Sequence, residues 1–184
     1  MSTTAFALFD TTLGHCGIAW GAKGLTGVQL PEADEATTRL RMQARFARAP
    51  EAAPPPEVQS AIAAITALLA GAPTEPHDLR DLVLDMAGVP PFHQRVYALA
   101  RQLAPGESCT YGELAQRLGE PGAARAVGQA LGANPFAPVV PCHRILAAQS
   151  GAGGFSAPGG VTTKLRMLLA ERARFNGPGL FDAL

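Results

Sequence analysis

Three consecutive side chains, Cys142, His143 and Arg144, bring together a nucleophile, a proton carrier and a fixed positive charge. A thiol with an ordinary pKa near 8.5 is only about 3% ionised at neutral pH; a value near 7 would make it half ionised. A histidine whose tautomer is fixed by an acid is the usual device for drawing off that proton. Pro141 stiffens the backbone that approaches the thiol. A lone cysteine in an ordinary setting is a small buried apolar residue, so the neighbours, more than the thiol, mark Cys142 as a nucleophile. A Cys-His hydrolase is a competing reading. Against it, adjacent residues rarely aim both side chains at one substrate atom, and no oxyanion-hole pattern accompanies the pair.

The remaining composition narrows the setting. Cys16, Cys109 and Cys142 are odd in number and widely spaced, which suits reduced thiols and a cytoplasmic location better than a disulfide framework. His15 and Cys16 could join His77 at a metal, but no CxxC-like or HxxxH-like pattern supports this. Cys16 therefore reads as a strand residue, and neither metal nor cofactor is expected. The longest apolar run, Ala61 to Ala72, is interrupted by Thr66 and falls short of the roughly 20 residues of a spanning helix. Met1 to Leu8 lack a basic region followed by an apolar block, so neither a secretion signal nor a membrane partner is expected. The net charge of +0 hides an asymmetry: residues 1–90 carry 6 Lys and Arg against 10 Asp and Glu, residues 91–184 carry 9 against 5. The second half is the better partner for a polyanion.

The elements that must position the thiol fall into two domains and a tail, 1–88, 89–176 and 177–184. In the first, alternation in Phe6, Leu8 and in Cys16, Ile18, Trp20 predicts two strands around a turn at Thr11 to Gly14, with a third strand from Leu25 to Leu30. A helix follows from Ala33 to Phe46, with Leu40 and Ala44 on its apolar face. Pro50 to Pro56 reads as a loop, Val58 to Leu69 as a helix, and Leu79 to Leu84 as a returning strand. After Pro90-Pro91, the residues Phe92, Val96, Leu99 and Leu103 mark one helix face, stopped by Pro105-Gly106. Two short helices come next, Tyr111 to Leu118 and Ala123 to Leu131, joined by Gly119-Glu120-Pro121-Gly122. This is the pattern of a helix-turn-helix or of a packed helical hairpin. The second helix is mostly Ala and Gly with Arg125 as its one charge, a slim face that can approach a nucleic-acid groove closely.

Pro141-Cys142-His143-Arg144-Ile145, preceded by Arg125-Ala126-Val127-Gly128 and Asn134-Pro135, resembles the O6-alkylguanine-DNA alkyltransferase family, the methylated-DNA–protein-cysteine methyltransferases. Thr110-Tyr111-Gly112-Glu113-Leu114-Ala115 and Gly153-Gly154-Phe155-Ser156 extend the likeness over about Pro91 to Glu171. The resemblance implies an α/β (α+β) protein, with a small ribonuclease H-like N-terminal domain and a mainly helical C-terminal domain carrying a winged-helix-like helix-turn-helix. Cys142 would accept an alkyl group, once only, from O6-alkylguanine in double-stranded DNA, with O4-alkylthymine an open alternative substrate and the protein acting as a monomer. His143 would be its base through a water, Glu171 in the helix Thr162 to Arg174 would orient His143, and Asn134 would brace the turn. Tyr111 would press on the target nucleotide, Arg125 would fill the gap left by the extruded base, and Ala124, Gly128 and Leu131 would contact the DNA. Ile145, Phe155, Ser156 and Lys164 would line or border the base pocket, while Arg144 would be structural.

Some positions depart from the family. Phe155 stands where many relatives have Tyr, the stretch Ser156 to Gly160 is longer than in the shorter relatives, and Gly132 replaces a basic residue of some. Two related functions compete. Alkyltransferase-like damage-recognition proteins lack the acceptor cysteine that is present here, and a transcription regulator would need more base-reading side chains than Ala123 to Leu131 supply.

Overall fold

The computed structural model describes residues 3–72, 77–148 and 154–173. Its contacts divide the chain into two units, Met1–Val89 with Pro135–Val139, and Pro90–Asn134 with Val140–Leu184.

In the first unit, alternation builds an antiparallel sheet of three strands in chain order: β1 (Ala5–Thr11), β2 (Gly14–Gly21) and β3 (Gly24–Gln29). Phe6 lies opposite Ala19, and Leu8 opposite Gly17. Helix α1 (Glu35–Arg45) starts at Asp34, whose carboxylate accepts the Thr37 N–H at 2.7 Å. The expected period is present but the buried face is different. Leu40 is 65% exposed and Ala44 is exposed, while Thr38 and Met42, also four apart, turn inward. Met42 packs with Phe6 and Ala19, and a Cβ on Gly17 would lie 2.6 Å from its Cγ, so that glycine makes room for the methionine. Thr38 tolerates burial because its hydroxyl donates to the Asp34 carbonyl at 3.1 Å.

Two further expectations need correction. Pro50 to Pro56 is not wholly a loop: Glu51 bridges Phe6, with the Phe6 N–H donating to Pro50 O at 3.0 Å and Ala52 N–H to Phe6 O at 2.9 Å. Helix α2 (Pro56–Leu69) follows at once, with proline at its start. Leu79 to Leu84 is not a strand. Helix α3 (His77–Arg80) takes its first residues, and only Leu84 bridges a neighbour, Leu25. Val83, 67% exposed, has no face to bury. Cys16 is buried in β2, and His15 pairs instead with Asp10 at 2.6 Å. The His77 side chain lies outside the description, and among the described residues no three His, Cys, Asp or Glu groups converge as metal ligands. The segment Pro135–Val139 belongs here because Pro135 O accepts the Val28 N–H at 2.8 Å and Arg45 Nη2 at 3.4 Å.

The second unit is mainly helical. Its elements are α4 (Pro91–Ala100), β4 (Cys109–Thr110), α5 (Tyr111–Arg117), α6 (Ala124–Gly132), a 3-10 turn (Cys142–Arg144), β5 (Ile145–Leu146) and α7 (Gly160–Ala170). Leu114, Ala115 and Leu118 are buried from α5 and its end, and Val127, Ala130 and Leu131 from α6, as their spacing predicts. In α4 the central buried residue is one the apolar pattern passes over. Tyr97 is 0% exposed and its hydroxyl donates to Ala130 O at 2.8 Å, so the ring packs while its polar tip is satisfied. β4 and β5 form a two-residue parallel pair, too short for periodicity to reveal. No described helix is long and apolar enough to cross a membrane.

Candidate active site

The turn that carries the thiol is set by its neighbours. Asn134, just after α6, donates from Nδ2 to Val140 O at 2.8 Å, closing the chain two residues before Cys142. Cys142 then opens the 3-10 turn, with His143 and Arg144 completing it. Cys142 is 8% exposed, His143 0% and Arg144 4%.

Glu171 organises the buried side of this turn. It caps the end of α7, its carboxylate is 1% exposed, and four donors converge on it. Oε1 accepts His143 Nε2–H at 2.7 Å and Arg144 Nη2 at 2.8 Å, while Oε2 accepts Arg144 Nε at 2.9 Å and the Gly106 N–H at 3.2 Å. Gly106 has φ +84°, and a Cβ there would lie 3.1 Å from Glu171 O, so the helix stop after α4 also supplies a donor that a bulkier residue would hold away. Burial opposes ionisation of Glu171, but the charge His143 carries once protonated at low pH, the hydrogen bonds of His143 and Arg144 and the Arg144 guanidinium outweigh it and hold the carboxyl at about 2. Glu171 thereby forms a buried ion pair with Arg144.

Burial drives the His143 pKa below its ordinary value; Glu171 pulls it up, and Arg144 and Lys164 push it down. We take the imidazole to rest neutral, with Nε2–H on Glu171 and its lone pair on Nδ1. Nδ1 is buried and has no hydrogen-bond partner among the described residues. For the thiol, an expectation must be corrected: burial raises the Cys142 pKa above its ordinary value instead of leaving it depressed. Against burial stand the Asn134 side chain, the charge of Lys164 and the N–H groups of Cys142 and His143, all of which favour the thiolate. The site thus stores a protonated thiol and surrounds it with the donors its anion needs.

Lys164 is fully buried. Its Nζ donates to Ile145 O at 2.6 Å and lies 5.9 Å from the Tyr111 ring centroid. Burial lowers its pKa to about 8, with Cys142 pulling the other way. Tyr111 begins α5 after a reciprocal cap, in which Thr110 Oγ1 accepts the Glu113 N–H at 3.1 Å and the Glu113 carboxylate accepts the Thr110 N–H at 2.6 Å. The spacing of Thr110 and Glu113 announces this box in the sequence; the links of Gly106 and Tyr97 have no comparable local signal. Burial raises the Tyr111 pKa, and Cys142 adds to the rise, so its hydroxyl stays a donor at neutral pH.

A pocket of about 340 Å³ is lined by Tyr111, Gly128, Leu131, Gly132, Cys142, Gly154, Phe155 and Ser156. Tyr111, Gly128, Leu131, Phe155 and Ser156 are thus brought together with Cys142, Gly128 and Leu131 having been expected at the DNA. Ile145 and Lys164 do not line it; both are fully buried and bonded to each other. Ser156 Oγ donates to Gly132 O at 3.0 Å. Ala124 and Arg125 occupy the first turn of α6 outside the pocket, Ala124 half-buried and Arg125 exposed. Gly153 lies outside the described residues.

Fold and site together define a protein with a buried cysteine thiol lining a pocket beside two short helices. Residues 91–173 match the family model described as 6-O-methylguanine DNA methyltransferase, DNA binding domain. The methylated-DNA–protein-cysteine methyltransferase of Mycobacterium tuberculosis is 40% identical over 120 residues, 65% of this chain and 68% of that one. That of Methanothermobacter thermautotrophicus is 31% identical over 161 residues, 88% and 81% of the two chains. The crystal structure of M. tuberculosis OGT in complex with DNA superposes with a TM-score of 0.72 at 32% identity, covering 92% of this chain and 95% of that one. The chain belongs to the methylated-DNA–protein-cysteine methyltransferase family.

Proposed function

We propose that this protein repairs DNA by moving the alkyl group of O6-alkylguanine onto Cys142 Sγ, once per molecule. The carrying observation is that Cys142 lines a pocket whose volume sits near the lower end of the range for ligand sites, about 300–1,000 Å³, and suits a single extruded base. The lesion lies inside the stacked duplex, so the base must rotate out at a cost of a few kcal/mol. Arg125, exposed at the start of α6, fills the vacancy and offsets part of that cost by stacking and phosphate attraction. The small residues Ala124 and Gly128 let α6 approach closely.

Within the pocket, Cys142 passes its proton to His143 Nδ1, directly or through one water. Sulfur then attacks the alkyl carbon in line; the S–C bond forms as the C–O6 bond breaks. The Tyr111 hydroxyl donates to the departing guanine as negative charge develops on it. Glu171 supports the imidazolium that results, and Asn134 and Lys164 meet the thiolate. The product is a thioether that no neighbouring group displaces, so the protein is consumed.

The first unit serves as a scaffold of ribonuclease H-like pattern, supported by its three antiparallel strands and packed helices. The second acts as a winged-helix-like reader, supported by α5, α6 and the β4–β5 pair. The three described cysteines are free, consistent with a cytoplasmic setting. The test is to mix the protein with a duplex containing O6-methylguanine and map methylation by peptide mass spectrometry. One methyl on the Cys142 peptide, and none in Cys142→Ala, is expected; repair with Cys142 unmodified would refute the reading.

A further inference from the structure

The Cys-His-carboxylate arrangement leaves Arg144 without a part in the chemistry, yet this residue is held by three hydrogen bonds in the site. Its Nε and Nη2 grip both oxygens of Glu171, at 2.9 and 2.8 Å, and Nη1 donates to Leu103 O at 2.6 Å. The fork is thus fixed on three sides, a geometry an ammonium cannot copy. Oε1 of Glu171 is shared between Arg144 Nη2 and His143 Nε2.

We propose that Arg144 is a positioning residue for proton transfer: by sharing the Glu171 carboxylate it keeps His143 a neutral imidazole whose lone pair sits on Nδ1. The inference rests on Cys142 being the acceptor and His143 its base. A carboxylate facing a histidine alone stabilises the imidazolium, which has no lone pair left to receive the thiol proton. Here the negative charge of Glu171 is already matched by a permanent cation. The charged and titratable groups that act on His143 are Glu171 at the end of α7, Lys164 within α7 and Arg144 in its own turn, with Cys142 adjacent in the chain. Two of these are cations that disfavour a third positive charge. The carboxylate still holds the ring by Nε2–H and so fixes the tautomer. Arg144 therefore separates two tasks that a lone carboxylate would combine: orienting the ring and charging it.

The experiment is a pH titration of the full chain labelled with 15N-histidine, following the His143 ring nitrogens by NMR in wild type, Arg144→Met and Arg144→Lys. Wild type should stay neutral, with the proton on Nε2, to below the ordinary histidine value of about 6.5. Arg144→Met should raise the midpoint by about one pH unit or more, and Arg144→Lys, which keeps the charge without the fork, by less. A midpoint that is unchanged or lower in the folded variants overturns the proposal. Should Arg144→Met fail to fold, Arg144→Lys decides: a smaller upward shift supports the assignment and none refutes it. No DNA is needed, so this outcome is independent of whether Cys142 is methylated by damaged duplex.

Discussion

Replacing Glu171 with Gln keeps an oxygen acceptor in place and removes the charge on which four donors converge. The carboxyl titrates at about 2 in the folded protein against 4.5 for the free group. Because the folded value is the lower one, ionisation stabilises the fold fully above the unfolded value, and the contribution is lost as pH falls toward the folded one. The difference amounts to about 3 kcal/mol at neutral pH, of which about 2 kcal/mol is gone by pH 3. A loss of that size is in keeping with breaking a buried ion pair. It is a large share of a total stability of about 5–15 kcal/mol. The assay is urea unfolding followed by far-UV circular dichroism, since the second unit is mainly helical. With a urea slope of about 1–3 kcal/mol per molar, Glu171→Gln should lower the midpoint by about 1–3 M at pH 7, and the gap should narrow markedly at pH 3. A gap equally wide at both pH values, or none at pH 7, would show that the charge of Glu171 does not hold the turn.

Arg125→Ala is expected to slow reaction with damaged duplex at least tenfold while sparing reaction with the free modified base; equal losses in single-turnover assays on both would remove Arg125 from the insertion role. Lys164→Met should slow iodoacetamide alkylation of Cys142 about tenfold at pH 7, because the cation favouring the thiolate is lost. The wild-type advantage should shrink above about pH 8, where Lys164 loses its own proton; a ratio constant from pH 7 to 9.5 contradicts this. Tyr97→Phe removes a buried hydrogen bond to Ala130 O. Its cost should be only about 1 kcal/mol, because Ala133 N–H also reaches that carbonyl at 3.2 Å. A urea-derived loss several times larger would mean that the hydroxyl does more than satisfy one acceptor.

Tyr111, Cys142, Phe155 and Ser156 are legible at the site through the family motifs they belong to, whereas Gly128 and Leu131, expected at the DNA, line the pocket as well; the helices between them show clear periodicity. Partnerships across the fold are a different matter. Glu171 pairs with residues 27 and 28 positions away, and the Gly106 N–H that reaches it comes from a helix stop 65 positions away. Nothing in local spacing reports either. Lys164 illustrates the same limit: its membership in α7 is readable, but its complete burial on Ile145 O depends on where the 3-10 turn places that carbonyl. In the first unit, α1 was legible as a helix, yet Leu40 and Ala44 point outward because the sheet offers a gap at Gly17 that Met42 fills. The resting state of the thiol was also beyond the sequence. Adjacency to His143 suggests a depressed pKa, whereas burial, a property of the packed structure, raises it.

Counting is the most direct test of the central claim. Increasing amounts of duplex bearing O6-methylguanine are added to a fixed amount of protein, and restored guanine is measured after the reaction stops. The account predicts a plateau at one guanine restored per polypeptide, with the same number of methyl groups on Cys142. Restoration that continues past one equivalent, or a plateau reached with Cys142 still a free thiol, would contradict it.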